Sequence, residues 1–243
     1  MLDRVLRVAE SLSPKTLTVV VGHGADAIRG HFSGRPGVRF ALQEPQLGTA
    51  HALLQAAPLL NEQTGVLVLL SGDVPLLKAV TLQGLLETHC GSKAAATVVT
   101  ATIERPNGYG RIVREDGRIV RIVEERDASP PERRIHEINS GIYAFDLVPL
   151  FEALRGIAAE NDQKEYYLTD LIALYCQRKM VVETFLAGDP QEIRGVNSRS
   201  ELAEANRLAR LEKNEEVMAA GVTLVDPAAT YIGPDVEIGA DTV

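Results

Sequence analysis

The chain of 243 residues has no tryptophan, only two cysteines, no apolar run long enough to span a membrane and no signal peptide. Cys90 and Cys176 lie far apart and match no metal-binding or redox spacing. That excludes a zinc ribbon or a disulfide framework and reads as buried thiols in a reducing compartment. Without a spanning run or a leader, the sequence reads as cytoplasmic and not as a membrane protein. It also lacks a long basic run, and its net charge is −8, which argues against nucleic acid as a partner. What is present is ordinary for a globular protein: 45% apolar and 24% charged residues, in a length that suits one large domain plus an appendage.

The central stretch is Gly65-Val-Leu-Val-Leu-Leu-Ser-Gly-Asp-Val-Pro75. Its apolar run reads as a strand buried on both faces, as parallel sheets require. It ends on Gly72, which lets another molecule approach the backbone, then on the Asp73 carboxylate and on Pro75, which stops the ladder. Ligands of open α/β sheets sit beyond the carboxyl ends of the strands. Asp73 is therefore either a metal or phosphate ligand or the cap of the next turn.

Around it the pattern alternates. Met1–Leu12 is an amphipathic helix, with Leu2, Val5, Leu6 and Leu12 on one side and Asp3, Arg4, Arg7 and Glu10 on the other. Strands are expected at Thr16–Val21, Val38–Leu42, Ala94–Thr102, Arg111–Arg114, Arg118–Glu124, Glu137–Phe145 and Val181–Ala187. Helices are expected at Ala25–Phe32, Ala50–Ala57, Ala79–His89, from Glu165 to about Arg178, and Ser200–Ala219. Asp116-Gly117 is a hairpin signal. His23, between two glycines, reads as part of a strand-end turn, with an active-site imidazole as the alternative.

Several polar residues stand out. Gln43 has an amide with one donor and one acceptor face, matching the N3–H and carbonyl edge of uracil or thymine, unless it is a solvated loop residue. Gly48 and Thr49 sit at a helix start, where backbone N–H groups are free. The glycines flanking Tyr109 suggest a tight turn whose amide could touch a ligand, or a plain hairpin turn. Glu124 ends a strand ahead of a charged, proline-broken loop. Asn139 lies inside a strand and needs partners, since an unpaired buried polar group costs roughly 1–3 kcal/mol. A ligand hydroxyl or a loop carbonyl would serve. Ser198 and Glu201 have capping-box spacing, and Asn197 belongs to that cap or offers an oxygen to a metal. In the tail, Ile232-Gly233 and Ile238-Gly239 recur at a period of six, the spacing of a parallel β-helix that needs more coils to bury a core.

Taken in order, Leu42-Gln43, Gln46-Leu-Gly-Thr-Ala-His-Ala52, Ser71-Gly-Asp-Val-Pro75, Asn107-Gly-Tyr-Gly-Arg-Ile112, Ile122-Val-Glu124, Glu137-Ile-Asn-Ser-Gly-Ile142, Glu165-Tyr-Tyr-Leu-Thr-Asp170 and Gly195-Val-Asn197 carry a specific likeness. The chain resembles, over essentially its whole length, the uridyltransferase part of bacterial bifunctional N-acetylglucosamine-1-phosphate uridyltransferase/glucosamine-1-phosphate acetyltransferases. The resemblance implies an α/β fold, a Rossmann-like nucleotide-diphospho-sugar transferase sheet with helices on both faces. It divides the chain into a nucleotidyltransferase domain at 1–198, a long linking helix at 199–220 and the start of a left-handed parallel β-helix at 221–243. It also implies transfer of uridylyl from UTP to N-acetylglucosamine 1-phosphate, giving UDP-N-acetylglucosamine for peptidoglycan and lipopolysaccharide, and trimerisation of full-length members through the β-helix. By motif position, Gln43, Gly48 and Thr49 would hold the uracil. Asp73 and Asn197 would ligate Mg2+, with Asp73 the catalytic anchor, and Gly110, Glu124 and Asn139 would contact the sugar. Ser71 and Gly72 would border it, Ser71 standing where some relatives place Tyr. Alternatives are another sugar-1-phosphate nucleotidyltransferase or a catalytically silent sugar-nucleotide-binding module.

One departure bears on activity. The family's signature of the form Leu-Ala-Ala-Gly-x-Gly-Thr-Arg-Met, and the lysine beyond it, have no counterpart in these residues, and the resemblance places them upstream of Met1 with a first strand. That strand lies between neighbours in a sheet of order 3-2-1-4, so a slot in the core is expected. A loop and a lysine supply several anion-stabilising donors, each typically worth 10²- to 10³-fold in rate. The chain alone is therefore expected to be poorly stable and nearly inactive. Assaying UDP-N-acetylglucosamine formation with and without an added upstream segment checks this, and full activity without it would contradict it.

Overall fold

The computed structural model describes residues 1–60, 64–161 and 163–243. In chain order the elements are α1 (Leu2–Ser11), β1 (Leu17–Val21), α2 (Ala25–Phe32), β2 (Val38–Leu42), α3 (Thr49–Gln55), α4 (Ala57–Leu60), β3 (Val66–Leu69) and α5 (Ala79–Ser92). They continue with β4 (Ala96–Thr102), β5 (Arg111–Glu115), β6 (Arg118–Val123), β7 (Glu137–Asp146), α6 (Leu147–Leu154), α7 (Asp170–Gln177), β8 (Val182–Leu186) and α8 (Arg199–Ala219). The order is α/β, with helices on both faces of a Rossmann-like but mixed sheet.

β7 is the hub. It pairs antiparallel with β3, β4 and β5, while β4 runs parallel to β8 and β5 forms a hairpin with β6. β1 and β2 pair parallel as a separate two-stranded sheet, and no strand joins the two sheets among the described residues. Side chains alternate across the main sheet, as the pleat requires. Ala96 and Val98 of β4, with Tyr143 and Phe145 of β7, face a core closed by α3, α4, α6 and α7. Val99 and Ala101, with Ile138, Ile142 and Ala144, face a second core against Leu82 and Leu85 of α5, and Val8 and Leu12 near the chain start pack on its edge.

Three sequence expectations change. β3 is not a parallel strand buried on both faces: it pairs antiparallel with β7, and its residues are half-buried except exposed Val66. An apolar run reports hydrophobicity, not the number of strands beside it. Residues 165–169 do not open α7, which begins at Asp170: 165–167 are non-helical, with the Tyr166 N–H bonded to Leu47 O at 2.8 Å and the Ala50 N–H to Tyr166 O at 2.9 Å, and 168–169 turn into the helix. Cys90 is exposed, not buried, and Cys176 is half-buried, its thiol facing Ile119 O at 3.4 Å. The tail, 221–243, forms turns without a strand ladder, and its ends meet where the Thr223 N–H bonds Thr242 O at 2.8 Å. No helix of the described residues is long and apolar enough to cross a membrane.

β8 lies close against α5 because Gly84 has no side chain. A Cβ there would stand 2.5 Å from the Phe185 ring. Gly84→Ala is therefore expected to cost about 1–3 kcal/mol by overpacking, measured by urea unfolding, and Phe185→Leu is expected to recover most of the loss.

Candidate active site

One end of the candidate site is built by an interruption in β7. Val98 of β4 sits opposite Tyr143 but Thr100 sits opposite Asn139, so the segment Ser140-Gly141-Ile142 bulges out of the ladder. Bulges re-aim side chains, and this one needs Gly141 at φ +77°. The Ser140 hydroxyl donates to Val99 O at 2.7 Å and accepts the Ile142 N–H at 3.1 Å, so the lost ladder bonds are replaced locally. Asn139 is consequently half-buried rather than buried within the ladder. Its Oδ1 accepts the Gly141 N–H at 3.0 Å, and its amide faces the hydroxyl of fully buried Tyr143, whose pKa burial pushes up.

Glu124 lies just past β6, which ends at Val123, and not within the strand as expected. Burial raises its carboxyl above the usual carboxylate range; the nearby Asp127 and Asp170 charges add to this, and the Thr169 hydroxyl, donating to Oε1 at 3.0 Å, opposes it. Gly110 is buried beside both residues. A Cβ on it would stand 3.4 Å from Glu124 Oε2 and 3.5 Å from Asn139 Cβ. Gly110 O accepts the Asn139 N–H at 2.9 Å, and its own N–H makes no hydrogen bond to the described residues.

The loops after β3 and before α8 bring Asp73 and Asn197 together. Val196 donates its N–H to Asp73 O at 3.0 Å. A Cβ on Gly195 would lie 3.2 Å from Asp73 Oδ2 and 3.6 Å from Asn197 Nδ2. The Asp73 carboxylate has no hydrogen bond or ion pair within the described residues. The N-terminal end of α8 is capped as its spacing foretold: Ser198 accepts the Glu201 N–H at 3.2 Å, and Glu201 accepts the Asn197 N–H at 2.8 Å. Asn197 thus enters the cap through its backbone and leaves its exposed side chain free. Tyr109 ties this corner to Gly110, its half-buried hydroxyl lying beside Gly195 and Asp73 and raised in pKa chiefly by burial. Ser71 Oγ approaches Gly141, and exposed Gly72 lies against Leu2.

At the other end, a cavity of about 580 Å³ opens at the carboxyl ends of β1 and β2, lined by Gly22, exposed His23, Gln43 and Gln46 among others. Gln43 is buried with its Nε2 donating to Gly48 O at 2.9 Å and lying 3.1 Å from His51 Nδ1. Its donor face is thus spent within the protein, contrary to the two-faced pairing expected from sequence, and Oε1 is the face left over. At Gly48, φ is +107° and a Cβ would stand 2.6 Å from Tyr166 O, so only glycine fits. The Gly48 N–H is unpartnered among the described residues, whereas the Ala50 N–H is taken by Tyr166. Thr49 Oγ1 accepts the Leu168 N–H at 3.0 Å.

Residues 165–170 therefore join the two ends, holding Thr49 through Leu168 and Glu124 through Thr169. Sequence reasoning assigned no site role to His51, Arg111, Tyr143 or Thr169 individually, since each acts through partners remote in the chain.

The profile of the nucleotidyl transferase family matches residues 7–190. The chain belongs to the nucleotidyl transferase family. It is similar to the Bifunctional protein GlmU of Geobacter metallireducens, 48% identical over 235 residues, or 96% of this chain and 49% of that protein. It is likewise similar to the Bifunctional protein GlmU of Syntrophotalea carbinolica, 49% identical over 225 residues, covering 93% of this chain and 48% of that protein. The chain thus spans about half the length of these curated relatives. Among solved structures it resembles a putative glucose-1-phosphate thymidylyltransferase from Bacillus anthracis, with a TM-score of 0.62 and 18% identity over 86% of this chain and 82% of that one. That likeness concerns the fold alone. Nucleotidyl transferases of this kind generally use a divalent metal.

Because the Thr169 hydroxyl favours the charged form of Glu124, Thr169→Val is expected to raise the Glu124 carboxyl further. A carbon-detected NMR titration reads this as an upward move of the midpoint, and an unmoved midpoint would contradict it.

Proposed function

We propose that the chain carries the site for uridylyl transfer from UTP to N-acetylglucosamine 1-phosphate, with UDP-N-acetylglucosamine and pyrophosphate as products. The observation that carries this reading is the continuity of contacts. Thr49, Leu168, Thr169, Glu124, Gly110, Tyr109, Gly195 and the Asp73–Asn197 pair follow one another as neighbours, so residues scattered over most of the chain line one track.

In this reading the Gln43 Oε1 accepts the ring N3–H, and the free Gly48 N–H donates to a ring carbonyl. The Gly110 N–H, the Glu124 carboxylate and the spare Asn139 amide proton hold the sugar and its acetamido group. A phosphate oxygen of the sugar phosphate attacks the α-phosphorus of UTP; its new P–O bond forms as the bond to the β-phosphate oxygen breaks, and pyrophosphate leaves. The residues contribute mainly by fixing the two reactants in line.

Asp73 and Asn197 fit Mg2+. The carboxylate is free of other partners, the Asn197 amide can turn its Oδ1 to the same point, and few protein ligands are needed by a cation that keeps waters and takes phosphate oxygens. Bound there, it would neutralise phosphate charge. Among the described residues no three His, Cys, Asp or Glu side chains cluster as an all-protein metal cage, so the substrate phosphates would complete the coordination. The same reading assigns 1–198 to the transferase domain, 199–220 to a linking helix and 221–243 to the opening of a β-helix through which longer relatives would trimerise, in the cytoplasm.

Calorimetry with and without Mg2+ tests it. The chain is expected to bind UDP-N-acetylglucosamine more tightly than UDP-glucose or dTDP-glucose, with an Mg2+-dependent gain that Asp73→Ala removes. Equal affinity for all three would overturn the substrate assignment, and an intact Mg2+ gain in Asp73→Ala would overturn the metal site.

A further inference from the structure

We propose that Arg111 is the positioning residue that aims the Gly110 N–H into the sugar end of the site; the proposal rests on the sugar-binding reading above. The Arg111 side chain is 1% exposed, an unusual place for a guanidinium. It donates from Nη1 to the Tyr109 carbonyl and from Nη2 to Glu125 Oε2 at 2.5 Å, while its Nε has no partner.

The Tyr109 carbonyl and the Gly110 N–H belong to one planar trans peptide and point in opposite directions. Holding the carbonyl on the guanidinium therefore turns the N–H away from it. The next peptide is fixed as well, because Gly110 O accepts the Asn139 N–H at 2.9 Å. Two planes are thus locked on either side of a glycine, the residue whose backbone would otherwise be freest. The outcome is a buried N–H without a partner, beside Glu124 and Asn139. Such orphaned donors are rare in folded proteins, and a bound acceptor relieves this one.

A lysine could not replace the guanidinium. Reaching Tyr109 O and Glu125 at once takes the spread of a planar fork, whereas an ammonium is a single point. Glu125 in turn keeps the buried charge compensated, which explains why an acidic residue follows Glu124 directly.

The test is calorimetric binding of UDP-N-acetylglucosamine and of UDP to the wild-type chain, Arg111→Met and Arg111→Lys, with thermal melting of each. The difference between the two ligands isolates the sugar. Both variants are expected to weaken UDP-N-acetylglucosamine about 10-fold while UDP affinity stays within about 2-fold, Arg111→Lys included. Equal losses for both ligands, or no loss for either, would overturn the proposal and leave Arg111 a structural residue. A wild-type chain that binds the two ligands equally would overturn the sugar-site reading itself, and this proposal with it. Should Arg111→Met fail to fold, Arg111→Lys and Glu125→Gln, which loosens the far end of the same fork, give the same readout.

Discussion

The break in the β7 ladder is the constraint on which the site depends. A strand that pairs with three others would ordinarily be the most regular part of the sheet. Here it abandons its ladder between Asn139 and Tyr143 and satisfies the backbone with the Ser140 hydroxyl and the Asn139 side chain. That exchange turns a core position into a half-open one, and Asn139, Gly110 and Glu124 gather around it. The β7 N–H at Asn139 also holds Gly110 O, so one strand sets both the floor of this end of the site and the turn that borders it.

A second constraint runs across the molecule. The segment 165–169 that leads into α7 is not a surface loop: its backbone bonds Leu47 and Ala50 on one side, and Thr169 reaches Glu124 on the other. The Gly48–Thr49 end is thereby held by the same few residues that tune the Glu124 carboxylate. Glycine is forced at Gly48 because the Tyr166 backbone presses where a side chain would go. Positions as distant in sequence as 48, 110 and 195 therefore answer to one packing problem, the close passage of backbone past backbone or carboxylate.

Much of this was legible in the sequence, for physical reasons. The alternation of strands and helices followed from periodicity, and the Asp116-Gly117 hairpin and the Ser198–Glu201 cap followed from local chemistry. Asp73, Gly110, Glu124, Asn139 and Asn197 stood out because polar or flexible residues interrupted apolar patterns. What stayed hidden depends on tertiary contact. Nothing in Val66–Leu70 says that β3 would pair antiparallel with half its surface open. Glu165-Tyr-Tyr-Leu-Thr read as a helix start because hydrogen bonds to Leu47 and Ala50, more than a hundred residues away, are invisible to a local window. Gln43 lines the cavity beyond β1 and β2, but the two-faced pairing is lost, since His51 and Gly48 O claim its donor side. Arg111 looked like an ordinary strand residue, and only its burial shows otherwise.

The central claim is that the two ends belong to one site. Backbone amide shifts recorded as UDP-N-acetylglucosamine is titrated into the chain with Mg2+ test it most directly. The account predicts that Gly48, Gly110, Asn139 and Asn197 move together along a single binding curve. Shifts confined to residues around the Gly22–Gln46 cavity, with Gly110 and Asn197 unmoved, would contradict it.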